Sequence, residues 1–392
     1  MGFFSGRVTF ARYHVNGPAA GLFGPEHLER LQAHAIGKQR VAAADGVEVG
    51  WTAGDHILDT NFALEKNIVN DTLHCCIRID SQKLPADLLR AYAQIDLQAL
   101  AAANPSGLPS ARQRREARES ARDRIEEEAK DGRFLRRKAY PILWDAQLNE
   151  LLVGTTAVTV LDRLHTLFQQ TFGFSFEPLG AGRQAFRLAE TRQQTRNVDD
   201  AKPAPFVPGT SPSEIAWLLD ETSRDFLGNE FLLWLWFLLD SETDVIPLGD
   251  GSEVVVMLDR TLVLECPRGQ TGRETITSEG PTRLPEARRA VQAGKLPRKV
   301  GLTLVRHDHQ YELTLQAETL AVSGAKLPAP EATDDRARLE ERITQLRHLL
   351  ETLDLLYDAF SQRRASDLWA KELARVQKWL QRDDRSRLSA IG

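Results

Sequence analysis

The residues best suited to bind a metal or to move a proton form one tripeptide, His307-Asp308-His309. Imidazole and carboxylate groups are common zinc ligands, and a bound zinc ion can activate water for hydrolysis. A third ligand at a useful spacing is missing, and the tripeptide lies between two predicted strands. We therefore interpret it as a surface turn, and a metal-dependent hydrolase is the weakest of three hypotheses for this chain.

Motifs for other kinds of catalysis are absent. The chain has no phosphate-binding GxxxxGK[ST] loop, no GxGxxG segment after a strand and no GxSxG nucleophile turn. Cys75 and Cys76 are adjacent in a predicted strand, so their side chains point to opposite faces and cannot chelate one ion. Three cysteines make no disulfide framework, which favours a reducing cytoplasm. The sequence thus predicts a protein that is not an enzyme and uses no cofactor and no metal.

Charge is distributed unevenly along the 392 residues. The formal net charge is −5, from 50 basic and 55 acidic residues, which argues against a strongly basic nucleic-acid binder. Two segments differ from the rest: 112–138 has eleven basic and seven acidic residues, and 268–306 has nine basic and three acidic ones. This pattern is expected of a protein that binds a polyanion through two basic surfaces. It is also expected if both segments are simply faces exposed to solvent.

Strands and helices are predicted in mixed order, without a regular βαβ repeat. This order favours an α+β fold with antiparallel or mixed sheets and long helices. The predicted regions are an N-terminal α+β region (1–104), a projecting, almost wholly polar helix (105–140), a second α+β region (141–196), a Pro-rich linker (197–213), a helix with β-hairpins (214–330) and C-terminal helices (331–392).

Three local predictions are specific enough to be checked. A helix over 158–172 should turn Val158 inward, and a helix over 213–239 should break near Gly228. Two short strands within 253–266 should pair as a hairpin.

The C-terminal region contains a heptad seam. Apolar residues recur at alternating spacings of four and three from Leu339 to Phe360, which predicts a long helix packed against another helix. That other helix could belong to this chain or to a second copy. The candidates for a subunit contact along the seam are Leu346, Leu350, Leu353 and Tyr357.

Membrane insertion is not indicated. The longest apolar run, Phe231–Leu239, has nine residues, whereas a membrane-spanning helix needs about 18 or more. The first residues also lack the basic and apolar stretches of a secretory signal. We therefore expect a cytoplasmic protein.

Five short segments follow one another in a recognisable order. They are Gly50-Trp51; Lys83-Leu84-Pro85; Gly132-Arg133-Phe134 before Leu143-Trp144-Asp145; Phe231-Leu232-Leu233-Trp234; and Val291-Gln292-Ala293-Gly294-Lys295. No single segment is diagnostic, but their order over residues 3–362 resembles the bacterial recombination-associated protein RdgC family.

The resemblance implies a homodimer that closes into a ring around duplex DNA, binds it with little sequence preference and restrains the recombinase RecA. It also implies a nucleoid-associated protein. Phe134 matches a family position at the tip contact between subunits, and the heptad helix would belong to the other contact. The segment after Cys266 matches a finger-like region near DNA. There the chain departs from the family, because Glu279-Gly280 stands where some members carry a basic residue and an amide.

The candidate DNA contacts come from both basic segments. They are Arg268, Arg273, Arg283, Arg288, Arg289, Lys295, Arg298 and Lys299, together with Arg114, Arg115 and Arg118. Within 112–138 many acidic residues stand one helical turn from basic ones and should pair with them. We therefore expect 268–306 to hold the freer cations, with Arg288, Arg289, Arg298 and Lys299 the most important. The second hypothesis is a protein-interaction scaffold that has lost DNA binding, motivated by the negative net charge and the altered finger.

Overall fold

Alternating apolar residues form most of the strands, and apolar residues at helical spacing form most of the helices. The computed structural model describes residues 2–17, 21–38, 46–207, 215–218, 220–269 and 271–382. The strands are β1 (Val8–Asn16), β2 (Val47–Thr52), β3 (Ile68–Val69), β4 (Thr72–Gln82), β5 (Leu135–Asp145), β6 (Glu150–Val153), β7 (Ser175–Pro178), β8 (Val245–Pro247), β9 (Glu253–Glu265), β10 (Glu274–Ser278), β11 (Leu296–Arg306), β12 (His309–Gln316) and β13 (Val322–Lys326). The helices are α1 (Pro25–Ala33), α2 (Leu64–Asn67), α3 (Ala86–Ala103), α4 (Ala111–Ala129), α5 (Val158–Phe172), α6 (Ala181–Glu190), α7 (Thr195–Asp199), α8 (Phe226–Ser241), α9 (Pro285–Gln292), α10 (Asp335–Arg364) and α11 (Trp369–Leu380).

In the described part of the chain, the strands form one 13-stranded antiparallel sheet. The strand order is β10-β9-β11-β12-β13-β1-β6-β5-β4-β2, while β3 pairs with β4, β7 with β1 and β8 with β9. The first strand joins the two halves, because β1 pairs with β13 near Val8 and with β6 from Ala11 onward. A register shift between Val8 and Phe10 marks the bulge at this changeover. The predicted α+β class is confirmed.

Two apolar cores lie against this sheet. The N-terminal core contains Trp51, Trp144 and Phe168, and it joins β2 and β5 to α5. The C-terminal core joins β9, β11 and β12 to α8, α10 and α11. Every residue of α8 from Phe226 to Leu238 is buried, which explains why this helix is apolar on all sides.

The long helix α10 links the two halves. The predicted helix is confirmed, and its ion pairs reach both halves: Arg347 with Asp145, Asp354 with Arg12, and Arg364 with Glu230.

The heptad seam of α10 faces inward. Leu346 and Leu350 are each 2% exposed, Leu353 is 6% exposed and Tyr357 is 1% exposed, all within the C-terminal core. These side chains have almost no surface left for a partner. The prediction that the seam residues form a subunit contact is therefore wrong, because the seam packs inside the chain itself.

The polar helix predicted to project is one half of a two-helix arm formed by α3 and α4. Small and apolar residues of α4, Ala117, Ala121 and Ile125, are buried against α3, and neither core includes a residue of the arm. Ser110 caps α4 by accepting a hydrogen bond from the backbone of Gln113. The arm therefore extends from the body, and the predicted region boundary at 104/105 falls in the turn between its helices.

Three local predictions need correction. Val158 is 68% exposed, because it occupies the first turn of α5 beyond the edge of the core. Helix α8 begins at Phe226 and runs through Gly228, where an added Cβ would overlap the carbonyl oxygen of Ala317. The predicted hairpin within 253–266 is instead the single strand β9, which bends at Arg260 with φ +61°.

Part of the predicted chain organisation lies outside the described residues. This applies to 208–213 of the Pro-rich linker and to 383–392 of the C-terminal tail. Among the residues that are described, no helix is both long and apolar enough to cross a membrane.

Candidate nucleic-acid interface

Three cations on α4 point into solvent. Arg114, Arg115 and Arg118 are exposed, and none of them forms an ion pair within the described part of the chain. They lie within one helical turn of each other, since Arg118 follows the other two by four and three positions. The three guanidinium groups therefore form one positive patch on the arm.

The cancellation of charge expected within 112–138 is partial. Salt bridges join Arg112 to Glu116 at 2.7 Å, Arg122 to Glu126 at 2.8 Å and Arg133 to Asp131 at 2.6 Å. All six side chains are largely exposed, so these pairs contribute little to stability. None of these pairs involves a cation of the patch on α4, although Glu116 and Glu119 are neighbours of the patch on the same helix.

Sequence reasoning missed two further cations at the base of the arm. Arg136 and Lys138 lie on β5 opposite Ser81 and Ile79 of β4, so both side chains emerge on the same face of the sheet. Both are exposed and without an ion pair among the described residues. Arg137 points to the other face, 3.5 Å from Asp80. The spacing of Arg136 and Lys138 by two residues in a predicted strand was the available signal.

The C-terminal candidates have a different environment. Arg298 bridges Glu265 at 2.7 Å and Glu318 at 2.5 Å, and its guanidinium lies 4.4 Å from the ring centre of Trp217. Lys295 is 7% exposed and binds the carbonyl oxygen of Gly272 at 2.9 Å. Both cations are therefore held inside the protein.

Arg288 is also held by the fold. It donates to the carbonyl oxygen of Trp379 at 3.0 Å, stacks over the Trp379 ring and lies 3.8 Å from Asp240. Arg306 is buried between Asp250 and Glu351. The expectation that 268–306 holds the freer cations is therefore wrong for Arg288, Lys295, Arg298 and Arg306, because acidic partners come from distant parts of the chain.

The remaining C-terminal candidates stay at the surface. Arg268, Arg273, Arg283 and Arg289 are exposed, and Lys299 is half-buried on β11.

Arg283 lines a cleft of about 680 Å³ whose other charged residues are all acidic: Asp240, Glu242, Asp244, Asp259 and Glu279. Three of these carboxylates form ion pairs, Asp240 with Arg288, Glu242 with Arg375 and Asp259 with Arg260. The remaining negative charge opposes binding of a polyanion. The surface around the predicted finger is therefore mixed in sign.

The predicted turn at His307-Asp308-His309 is confirmed. His307 and Asp308 have φ values of +47° and +64° and form the tight connection between β11 and β12. Within the residues that the structure describes, no group of three or more His, Cys, Asp or Glu side chains has the arrangement of a metal site.

Phe134, the candidate for a tip contact, lies where the arm meets the sheet. It is half-buried, and its carbonyl oxygen accepts a hydrogen bond from the backbone of Lys83 at 3.3 Å. Its role between subunits stays a prediction.

Comparison with known proteins adds no assignment: no protein-family model and no curated protein sequence matches the chain.

Proposed function

We propose that this protein is a non-enzymatic, sequence-independent duplex DNA-binding protein of the RdgC type. In this proposal it acts as a homodimer that encloses DNA in the bacterial nucleoid and limits the access of RecA. The observation that carries the proposal is the patch of exposed cations without ion pairs on the arm of a chain whose net charge is −5. Helix α4 as a whole carries six basic and six acidic residues, so the patch is a local feature of its surface.

Five cations define the proposed DNA surface: Arg114, Arg115, Arg118, Arg136 and Lys138. Guanidinium and ammonium groups bind phosphate oxygens without reading bases, so binding should be similar for all sequences. Neutralising about five phosphates would give a salt slope of about −4.5, which is a loss of a few hundredfold in affinity between about 50 and 200 mM salt.

The test compares two triple variants with the same charge change. The arm variant is Arg114→Gln, Arg115→Gln, Arg118→Gln, and the body control is Arg273→Gln, Arg283→Gln, Arg289→Gln. Fluorescence anisotropy with scrambled duplexes at several salt concentrations measures affinity and slope. The arm variant should bind all duplexes more weakly and lose about 2.7 of the salt slope, while the body control should change much less.

Each outcome has a distinct meaning. Unchanged affinity in the arm variant would refute the proposed surface, and a large loss in the body control would restore the finger as the DNA contact. A wild-type protein that binds no duplex DNA at low salt would refute the proposed function and leave the protein-interaction scaffold as the better hypothesis.

A further inference from the structure

Three histidines from two separate elements meet beside the turn between β11 and β12. His307 belongs to the turn, His309 is the first residue of β12, and His348 comes from α10. The ring centres of His309 and His348 are 5.0 Å apart, and those of His307 and His348 are 5.7 Å apart. The fold thus brings a third imidazole to the tripeptide, which no local sequence pattern reveals.

Hydrogen bonds orient two of these rings. Nδ1 of His309 donates to the carbonyl oxygen of His307 at 2.8 Å, which leaves its Nε2 as an acceptor. The Tyr311 hydroxyl lies 2.7 Å from Nδ1 of His348 and 3.3 Å from the carbonyl oxygen of Gln345. Metal binding at Nε2 requires the tautomer in which Nδ1–H of His348 donates to this hydroxyl, and the Gln345 carbonyl is placed to accept the hydroxyl proton in that tautomer. A carbonyl or hydroxyl partner on the second nitrogen is the usual arrangement behind a metal-binding histidine.

The second ring nitrogen of His348 lacks a partner. Its Nε2 is buried and has no hydrogen-bond partner within the described structure. Buried polar atoms in folded proteins are usually paired, so this nitrogen is open to a ligand.

The surrounding charges suit a cation. Glu341 and Glu351 lie on the same side of α10 as His348, seven positions before it and three after it, and Asp308 lies in the turn. Arg306 is the nearby positive charge, and the carboxylates of Asp250 and Glu351 compensate it at 2.6 and 2.9 Å. With Glu351 engaged by Arg306, Glu341 and Asp308 are the further acidic groups of the helix and the turn.

We propose that His309 and His348 bind a divalent transition-metal cation of the zinc, nickel or copper class through their Nε2 atoms. Two imidazoles bound to one such ion at about 2.1 Å have ring centres roughly 4.5 to 5.3 Å apart, which agrees with the observed 5.0 Å. The exposed His307 joins as a third ligand by rotating its side chain, since three ligands are not preformed among the described residues. Imidazole ligands favour these ions over magnesium and calcium.

The experiment titrates the tag-free, EDTA-treated full chain with nickel by calorimetry and with copper by electron paramagnetic resonance. We expect one site with copper hyperfine lines from at least two nitrogens, and no response to magnesium. His309→Ala should weaken nickel binding about tenfold or more, and His348→Gln should do the same. The control His56→Ala removes an exposed histidine of a distant loop and should bind as wild type does.

His309→Ala keeps the proposal falsifiable if His348→Gln does not fold, because His309 stands at the edge of the turn. Nickel affinity that is unchanged in His309→Ala, or equally reduced in His56→Ala, would show adventitious binding and overturn the proposal. Absence of any stoichiometric site in the wild type would overturn it as well.

Discussion

Glu150→Gln should lower the free energy of unfolding by about 3–5 kcal/mol, the usual cost of breaking a buried ion pair. The Glu150 carboxylate accepts two hydrogen bonds from Arg12, at 2.9 and 3.0 Å, and one from Arg187 at 3.0 Å. Asp354 binds Arg12 from the other side at 2.5 Å. The four groups join β1, β6, α6 and α10, so the perturbation tests how the two halves are held together.

The expected magnitude follows from burial and charge. The side chains of Arg12 and Glu150 are 2% and 1% exposed, so water cannot replace a lost partner. Two guanidinium groups balance two carboxylates, and glutamine leaves one positive charge uncompensated. The amide N–H₂ of the new glutamine also faces an N–H donor of Arg12, and two donors cannot form a hydrogen bond. Asp354→Asn should cost less, about 1–3 kcal/mol, because Asp354 is 22% exposed and can be hydrated.

The same group predicts a pH dependence. Burial alone would raise the pKa of Glu150, but the charges of Arg12 and Arg187 outweigh it and hold that pKa below its usual value. The carboxylate therefore contributes its full stability above the unfolded-state pKa of about 4.3, and this contribution is lost as the pH falls through the lower folded-state pKa. In the Glu150→Gln variant this contribution to the pH dependence of the free energy of unfolding should be absent.

Urea unfolding followed by circular dichroism and by tryptophan fluorescence measures the change, and agreement of the two probes checks that unfolding is two-state. Glu116→Gln, in an exposed pair with Arg112, is the control and should leave the midpoint unchanged. The double variant Arg12→Met, Glu150→Leu removes both charges and should recover much of the loss. A Glu150→Gln protein within about 1 kcal/mol of wild type would show that the charge is not buried and would refute this reasoning.

Two other residues give sharp expectations. Burial lowers the pKa of His74 to about 4, whereas a histidine in the unfolded state has a pKa of about 6.5. As the pH drops from about 6.5 to 4, the unfolded state binds the proton first, so the stability of the folded protein should fall. His74→Phe should reduce this pH dependence of the urea midpoint, and an unchanged pH dependence would contradict the assignment. Leu350→Ala should lower the free energy of unfolding by about 2–5 kcal/mol and leave the sedimentation coefficient unchanged, because Leu350 is 2% exposed in the chain's own core. If the variant instead converts a dimer to a stable monomer, the interpretation of the seam as a subunit contact would be restored.

Local periodicity was enough to predict several elements. The helix over 158–172 agrees with α5 at both ends, and the heptad spacing from Leu339 to Phe360 predicts the long helix α10. The turn at His307-Asp308 also follows from its place between two alternating segments. Each of these features depends on residues only a few positions apart, so the local sequence is enough to predict it.

The partners of these elements depended on the tertiary structure. A heptad seam indicates that the apolar face of a helix must be buried, but it does not indicate against what. In this protein α8 and the sheet of the same chain bury the seam of α10. For the same reason Val158 is exposed although it belongs to the periodic pattern, because the core ends before it.

The sequence could not predict which cations are free of ion pairs. Segment charge suggested that Arg298 and Arg288 were free, yet Arg298 is paired with a carboxylate 33 positions away and Arg288 with a carbonyl 91 positions away. Arg114 and Arg115 have acidic neighbours along α4 and remain unpaired. Composition and spacing determine which charges a chain carries and which elements carry them. Whether a cation meets solvent or a carboxylate is decided at contact distance, by the side chains that folding brings together from distant parts of the chain.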